Sequence, residues 1–300
     1  MKIAVTGSHG LIGEALCKHL TGQGHTVARI IRASNSTNGD IRWNPANASI
    51  ESDKLNDVDA VIHLAGENIA SHRWTSEQKQ KIKESRIRGT KLLAETICGL
   101  EKKPEVVVSG SAIGFYGDRG SETLTESSNV GSGFLADVCR EWEEAIAPVA
   151  ASGVRVVNAR TGVVLSTKAG ALNKMLPIFQ LGGGGNIGDG RQYMSWISLD
   201  DEVKALEFAL THSSVSGPVN LVAPNPVTNA EFTAVLGSVL HRPAFIPLPA
   251  FAAKIILGEM ADELLLSSQK CQPTKLLSAG YQFEYPELKK ALSMTLQENK

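Results

Sequence analysis

Cysteine is scarce: four in 300 residues. Cys17, Cys98, Cys139 and Cys271 are so far apart that they form neither a paired metal-ligand spacing nor a disulfide framework, and they read as reduced core residues. No metal is expected. Aromatic residues make up 5% of the chain, and no basic stretch is interleaved with stacking rings. With a formal net charge of −1, nothing recommends nucleic acid or an anionic membrane as a partner. No apolar run approaches the length needed to cross a bilayer, and the first strand-like segment begins at Lys2, which leaves no room for a signal peptide. The expected location is the cytoplasm.

What is present is ordinary globular material, 42% hydrophobic and 20% charged, long enough for one large domain and a smaller lobe. Strand-like segments at Ile3 to Val5, Thr26 to Ile31, Ala60 to Leu64, Glu105 to Ser109 and Arg155 to Ala159 alternate with helical stretches. That alternation predicts an α/β fold with a doubly wound, Rossmann-type parallel sheet that binds ligands at the carboxyl ends of its strands. Beyond Gly162 the regularity breaks into a helical Ala169 to Gln180 and a glycine run at 182–185, then returns through a helix-like Asp200 to Leu210 and a strand-like Pro218 to Val222. The expected division is a dinucleotide-binding domain of residues 1–165 and 195–223, with 166–194 and 224–300 forming a smaller substrate-side lobe.

Three glycines spaced by three, Gly7, Gly10 and Gly13, fall between the first strand and the first helix. The first permits a sharp bend, the second lets backbone approach a pyrophosphate, and the third lets helix and strand pack closely. The anion is then expected on the helix N-terminus near Leu11, so Thr6, Leu11 and Ile12 join the glycines as cofactor-binding candidates.

The second strand runs Ala28-Arg29-Ile30-Ile31-Arg32, without the carboxylate that an NAD-selective site places near the adenosine ribose. Arg32 offers a planar, permanently charged fork to a 2′-phosphate instead, which favours NADP. The third strand opens into Leu64, Ala65 and Gly66, small residues against which a cofactor can lie; His63, within the strand, reads as a core histidine. In the next helix Ile82, Arg86, Gly89, Leu93 and Ile97 share one face. Arg86 therefore either meets a cofactor phosphate or ribose or snorkels to the helix edge. Ser111 and Tyr116, after the fourth strand, are the catalytic candidates for polarising a substrate oxygen, with capping and packing as the alternative roles.

These stretches together resemble the extended short-chain dehydrogenase/reductase superfamily, the NAD-dependent epimerase/dehydratase group, whose members begin with Thr-Gly-x-x-Gly-x-x-Gly. The segments Leu64 to Ile69, Arg73-Trp74, Arg160 to Leu165 and Gly188 to Ile197 look like its epimerase-like branch with a C-terminal segment of unknown function. The resemblance implies a Rossmann-type domain, NADP use, and cofactor contact extending to Val164. Glu67, Arg73, Lys174 and Gln192 are the substrate candidates on stretches that could converge over a nicotinamide.

One departure stands out. Members of that superfamily carry Tyr-x-x-x-Lys on the helix after the serine strand, where lysine lowers the tyrosine pKa for proton exchange. Here the helix reads Phe134-Leu135-Ala136-Asp137-Val138-Cys139, and the one such spacing, Tyr285 to Lys289, falls in an expected terminal helix outside the cofactor fold. Two readings stay open: an NADP-binding, epimerase-like oxidoreductase acting on a small polar, sugar-derived molecule with a substituted acid/base group, or a non-catalytic NADPH-binding sensor. A homodimer is an open partner reading.

Overall fold

The computed structural model of the chain describes residues 1–32 and 39–297, so the last three positions of the expected second lobe lie outside the described residues. Among them an eight-stranded sheet is built from β1 (Lys2–Thr6), β2 (Thr26–Arg32), β3 (Ile41–Asn44), β4 (Ser49–Ile50), β5 (Ala60–His63), β6 (Val106–Ala112), β7 (Arg155–Thr161) and β8 (Gly217–Leu221). Across the sheet the order is β8-β7-β6-β5-β1-β2-β3-β4, and every pair except β3 with β4 is parallel.

The strands are short, β-branched and buried on both faces, as a parallel sheet requires. Leu16 and Leu20 of α1 (Leu11–Gly22) pack on one face together with a helix further along the chain. Leu93 and Ile97 of α2 (Ser76–Gly99) cover the other face beside Ile146 and Val149 of α3 (Phe134–Ala151). Full burial of one such side chain is worth about 1.5–3 kcal/mol. Because β2 and β5 flank β1 on opposite sides, the loops leaving β1 and β5 diverge and open a crevice at the carboxyl end of the sheet.

The β3–β4 hairpin was not anticipated; it extends the β2 edge. β6 also continues to Ala112 rather than ending at Ser109, and β7 to Thr161 rather than Ala159. The small residues Ser109-Gly110-Ser111-Ala112 look loop-like, yet they pair in register with Asn158 to Thr161. Ser111 is therefore a strand residue.

After β7 come α4 (Gly170–Gln180), α5 (Leu199–Thr211), α6 (Asn229–Leu240) and α7 (Ala250–Leu257). Val203, Leu206 and Leu210 of α5 complete the core beside α1. A separate core joins Leu172 and Phe179 of α4 to Trp196, to Phe232 and Leu236 of α6, and to Leu288 and Leu292 of the terminal helix Leu288–Gln297.

Asp201, in the first turn of α5, ties the two parts together. Its carboxylate accepts from Ser198 Oγ at 2.9 Å and from the backbone N–H groups of Glu284 at 2.8 Å and Tyr285 at 3.0 Å, and its carbonyl accepts from the Tyr281 hydroxyl at 3.0 Å. Tyr285 thus precedes the terminal helix rather than lying within it, which corrects the expectation drawn from its spacing to Lys289. Its ring is buried by packing in the core with Leu172, Phe232 and Leu288, and its backbone N–H is held by Asp201.

Candidate functional site

The turn after β1 separates chain-imposed glycines from one that the chain does not impose. Gly7 has φ +68°, and a Cβ there would stand 2.8 Å from the Leu64 carbonyl; at Gly13 a Cβ would stand 2.1 Å from the Gly7 oxygen. Both positions exclude a side chain through backbone packing. At Gly10 the nearest atom to a Cβ is 3.3 Å away. Gly10 caps α1, and no side chain hydrogen-bonds to the helix start, which leaves that N-terminus suited to an external anion. A Cβ there would press on the Gly7 carbonyl, a far milder demand than at Gly13.

Thr6 is buried, and its side chain is absorbed by the fold. Thr6 Oγ1 accepts from the N–H groups of Leu64 at 3.0 Å and Ala65 at 3.1 Å, pinning the end of β1 to the start of the loop after β5. A direct cofactor contact by this side chain is thereby replaced by a positioning role for the loop. Leu64 packs against the α1 side of the core. Ile12 does the same from α1. Leu11 and Val164 face each other across the start of α4: a Cβ on Gly170 would lie 4.0 Å from Leu11 Cδ2 and 3.8 Å from the Val164 oxygen.

Between the turn, the ends of β2 and β5, the β3–β4 hairpin and α2 lies a cavity of about 730 Å³, within the size range of small-molecule sites. It gathers Gly7, Gly10, Arg32, Ala65, Gly66 and Glu67 from the residues singled out in the sequence. Two groups escaped notice: Trp43 to Ala46 of the hairpin, and Lys81, Ser85 and Arg88 of α2. Alternation of apolar and polar residues from Ile41 to Asn44 is the signal that could have found the hairpin. Arg32 is exposed at its strand end; Lys81 and Arg88 add positive charge to the same cavity, although Arg88 is shared with Glu84 at 3.0 Å.

Arg86 lies on the predicted face of α2, just beneath the cavity floor. Its Nη1 donates to the carbonyls of Glu67 at 3.0 Å and Ile82 at 3.1 Å, and its guanidinium stacks 5.1 Å from the Trp142 ring. A Cβ at Gly66 would stand 3.1 Å from Arg86 Cζ. Arg86 therefore braces the loop backbone on which a cofactor would lie; desolvation lowers its pKa.

Ser111 and Tyr116 belong to a buried polar network. The Ser111 hydroxyl donates to Glu143 Oε1 at 2.7 Å, and Arg160 grips both oxygens of the same carboxylate at 2.8 Å. Arg160 Nη1 also donates to the Tyr116 oxygen at 3.0 Å, and the Tyr116 hydroxyl donates to Asn220 Oδ1 at 2.7 Å. Tyr116 has no exposed surface, and burial pushes its hydroxyl up to about 12. This corrects its assignment as an acid/base group: the phenol is consumed by packing and two hydrogen bonds. Ser111 remains at the sheet end but is 5% exposed. Glu143 and Arg160 were missed as a pair because seventeen positions separate them in sequence.

The substrate candidates do not converge. Glu67 lines the cavity and faces Gln78. Arg73 is exposed beside Gly258. Lys174 donates to the Ala70 carbonyl, drawing α4 over the loop after β5. Gln192 is buried and donates to the carbonyls of Ile187 and Leu265, each at 2.9 Å, so its amide braces the lobe and is withdrawn from substrate contact. Leu135, with Phe134, Trp74 and Met260, makes the start of α3 an apolar contact in place of a proton donor. Among the described residues no cluster of three or more His, Cys, Asp or Glu is arranged to hold a metal, and no helix is long and apolar enough to cross a membrane.

The sheet, the switch-point crevice and the glycine turn define an NAD(P)-binding α/β protein of Rossmann type. Residues 3–222 match the NAD dependent epimerase/dehydratase family, and residues 248–294 match a domain of unknown function, DUF1731. The chain belongs to the NAD-dependent epimerase/dehydratase family. It is 44% identical to the epimerase family protein ML0860 of Mycobacterium leprae over 97% of this chain and 94% of the relative. It is 37% identical to the human epimerase family protein SDR39U1 over 97% and 98%. A crystal structure of human SDR39U1 (isoform 2) with NADPH superposes with a TM-score of 0.90 at 35% identity, covering 99% of both chains.

Proposed function

We propose that this chain is an NADP-dependent, epimerase-like oxidoreductase acting on a small polar, sugar-derived molecule. The observation that carries the cofactor choice is the β2 end: Arg32 opens into the cavity where a ribose-binding carboxylate would stand, with Lys81 and Arg88 on the facing helix. The NADPH found with human SDR39U1 supports the same choice. When bound, the cofactor supplies hydride; this chain's residues cradle its phosphates at Gly7, Gly10 and the start of α1 and set Ser111 at the sheet end, where its hydroxyl is oriented by Glu143. Ser111 is the group we assign to polarise a substrate oxygen, by turning its hydroxyl hydrogen from Glu143 to the substrate while Arg160 keeps the carboxylate paired. Calorimetric titration of NADPH against NADH tests the cofactor reading, with NADPH expected to bind at least roughly tenfold tighter; equal affinities overturn it.

The second reading, a non-catalytic NADPH sensor, is favoured by the apolar start of α3, where Phe134 and Leu135 stand against Met260 instead of a tyrosine and lysine. Oxidation of NADPH against a panel of nucleotide sugars and small carbonyl compounds separates the two. Turnover supports the enzyme, and its absence across the panel supports the sensor.

A further inference from the structure

Arg86 carries a charge that the fold does not balance. Its Nη1 donates to the carbonyls of Glu67 and Ile82, and its guanidinium lies 5.1 Å from the Trp142 ring, yet among the described residues it forms no ion pair with a carboxylate. A neutral amide would serve both carbonyls. The positive charge is therefore surplus to the bracing role, and holding it away from water is costly.

The groups around it leave that charge standing. Burial holds the Cys139 thiol neutral by pushing it up to about 11, and His63, pushed down to about 4, is neutral as well. Glu143 is matched by Arg160. Glu67 attracts the guanidinium, but its carboxylate lines the open cavity and faces Gln78, where water weakens its field.

Position gives the charge its meaning. The phosphate turn leaves β1 and Arg32 draws the adenosine side of a dinucleotide toward β2, so the nicotinamide side falls across the switch point, toward β5 and β6. Arg86 lies on that side. A Cβ on Gly66, in the loop after β5, would stand 3.1 Å from its Cζ, and a Cβ on Gly110 of β6 would stand 3.1 Å from Trp142, the ring it faces.

We propose that Arg86 makes this site selective for the reduced cofactor, NADPH over NADP+. The inference rests on the NADP reading above. The oxidised nicotinamide ring is a cation and the reduced ring is neutral, so a fixed guanidinium opposes only the former. At an effective dielectric of about 20, a unit charge within roughly 10 Å disfavours the oxidised ring by on the order of tenfold. A tenfold preference raises the potential of the bound two-electron couple by about 30 mV. An enzyme that returns its hydride to the same substrate must begin with the oxidised nucleotide. This site instead favours net reduction: a carbonyl compound gains one hydride from NADPH and one proton from water, and the more weakly held NADP+ leaves.

Calorimetric titration of the full chain with NADPH, NADP+ and 2′,5′-ADP, which lacks the nicotinamide, reads this directly. NADPH is expected to bind at least roughly tenfold tighter than NADP+. Arg86→Gln keeps a donor for the loop carbonyls and should bring the two affinities within about twofold of each other, whereas Arg86→Lys keeps the charge and should keep the preference. All three proteins should bind 2′,5′-ADP alike. Equal wild-type affinities for NADPH and NADP+ overturn the proposal, as does an Arg86→Gln protein that retains the preference. Equal weakening of both nucleotides in that variant overturns it by assigning the charge to the pyrophosphate, and loss of 2′,5′-ADP overturns it in favour of a purely structural brace. If none of the three nucleotides binds the wild type, the cofactor reading falls and this inference with it.

Discussion

The Nδ1 atom of His63 lies 2.7 Å from Thr6 Oγ1, and the direction of that hydrogen bond follows from its neighbours. Thr6 Oγ1 already accepts two backbone N–H groups, so its own hydrogen points at Nδ1. His63 Nε2 then carries the proton and donates to Thr90 Oγ1 at 2.9 Å, which in turn donates to the Arg86 carbonyl at 2.7 Å. Both ring nitrogens are satisfied only in the neutral form.

Burial pushes the His63 imidazole down to about 4. Between pH ~6.5 and ~4 the unfolded chain takes up a proton that the folded chain refuses, so stability falls as pH falls through that window, by about 3 kcal/mol at its end. Urea denaturation at pH 7, 6 and 5 should show this slope, and His63→Gln should flatten it. An unchanged slope in the variant would place the effect elsewhere.

Glu202 on α5 behaves in the opposite sense. It is fully buried, with Oε1 accepting from Thr161 at 2.8 Å and Oε2 without a partner, and burial pushes its carboxyl up to about 8. Here the folded chain holds a proton that the unfolded chain has released, so stability is full below pH ~4.5 and declines as pH rises through ~8, by about 5 kcal/mol at most. Glu202→Gln should remove the decline between pH 5 and 9 in the same denaturation experiment. A wild type as stable at pH 9 as at pH 5 would contradict the assignment.

Much of this geometry was legible in the sequence because it rests on local patterns. The glycine spacing, the apolar strands and the missing carboxylate on β2 lie within short windows, and the cavity gathers Gly7, Gly10, Arg32, Ala65 and Gly66 as that reading anticipates. What escaped depends on distant partners. Tyr116 looked like a reactive phenol at a strand end, but Arg160 and Asn220, far along the chain, bury and bind it. Gln192 looked polar and available, yet the Ile187 and Leu265 carbonyls claim its amide. No window short enough to show periodicity contains such pairs.

Two of the turn glycines, Gly10 and Gly13, should separate by experiment. Gly13→Ala is expected to destabilise the fold by several kcal/mol, since its Cβ would fall 2.1 Å from the Gly7 oxygen. Gly10→Val should leave the apo melting temperature nearly unchanged and abolish the stabilisation added by NADPH. Thermal melts with and without NADPH distinguish these outcomes, and a Gly10→Val protein that retains the full shift would remove the phosphate role.

Arg32→Asp replaces the fork with the carboxylate that suits ribose hydroxyls. Affinity for NADPH is expected to fall by roughly 10- to 100-fold, with NADH binding gained. Calorimetry with both nucleotides reads the inversion directly, and unchanged NADPH affinity would reduce Arg32 to a solvated strand-end residue.

Arg160→Met leaves the Glu143 carboxylate without its bidentate partner in a nearly closed setting, the two side chains being 4% and 12% exposed. Loss of one member of such a buried pair costs about 3–5 kcal/mol. Chemical denaturation should show that loss at neutral pH, and a drop below about 1 kcal/mol would mean that solvent already shares the charge.

Asp201 gives the C-terminal stretch a structural standing that its uncharacterised family label does not suggest. From that stretch, some eighty positions downstream, the Glu284 and Tyr285 N–H groups reach the carboxylate and the Tyr281 hydroxyl reaches the Asp201 carbonyl, so the start of α5 is held by a distant part of the chain. A polypeptide ending before that stretch would leave the carboxylate with Ser198 Oγ but without the Glu284 and Tyr285 N–H groups. Removing the C-terminal stretch is therefore expected to lower the stability of the nucleotide half as well.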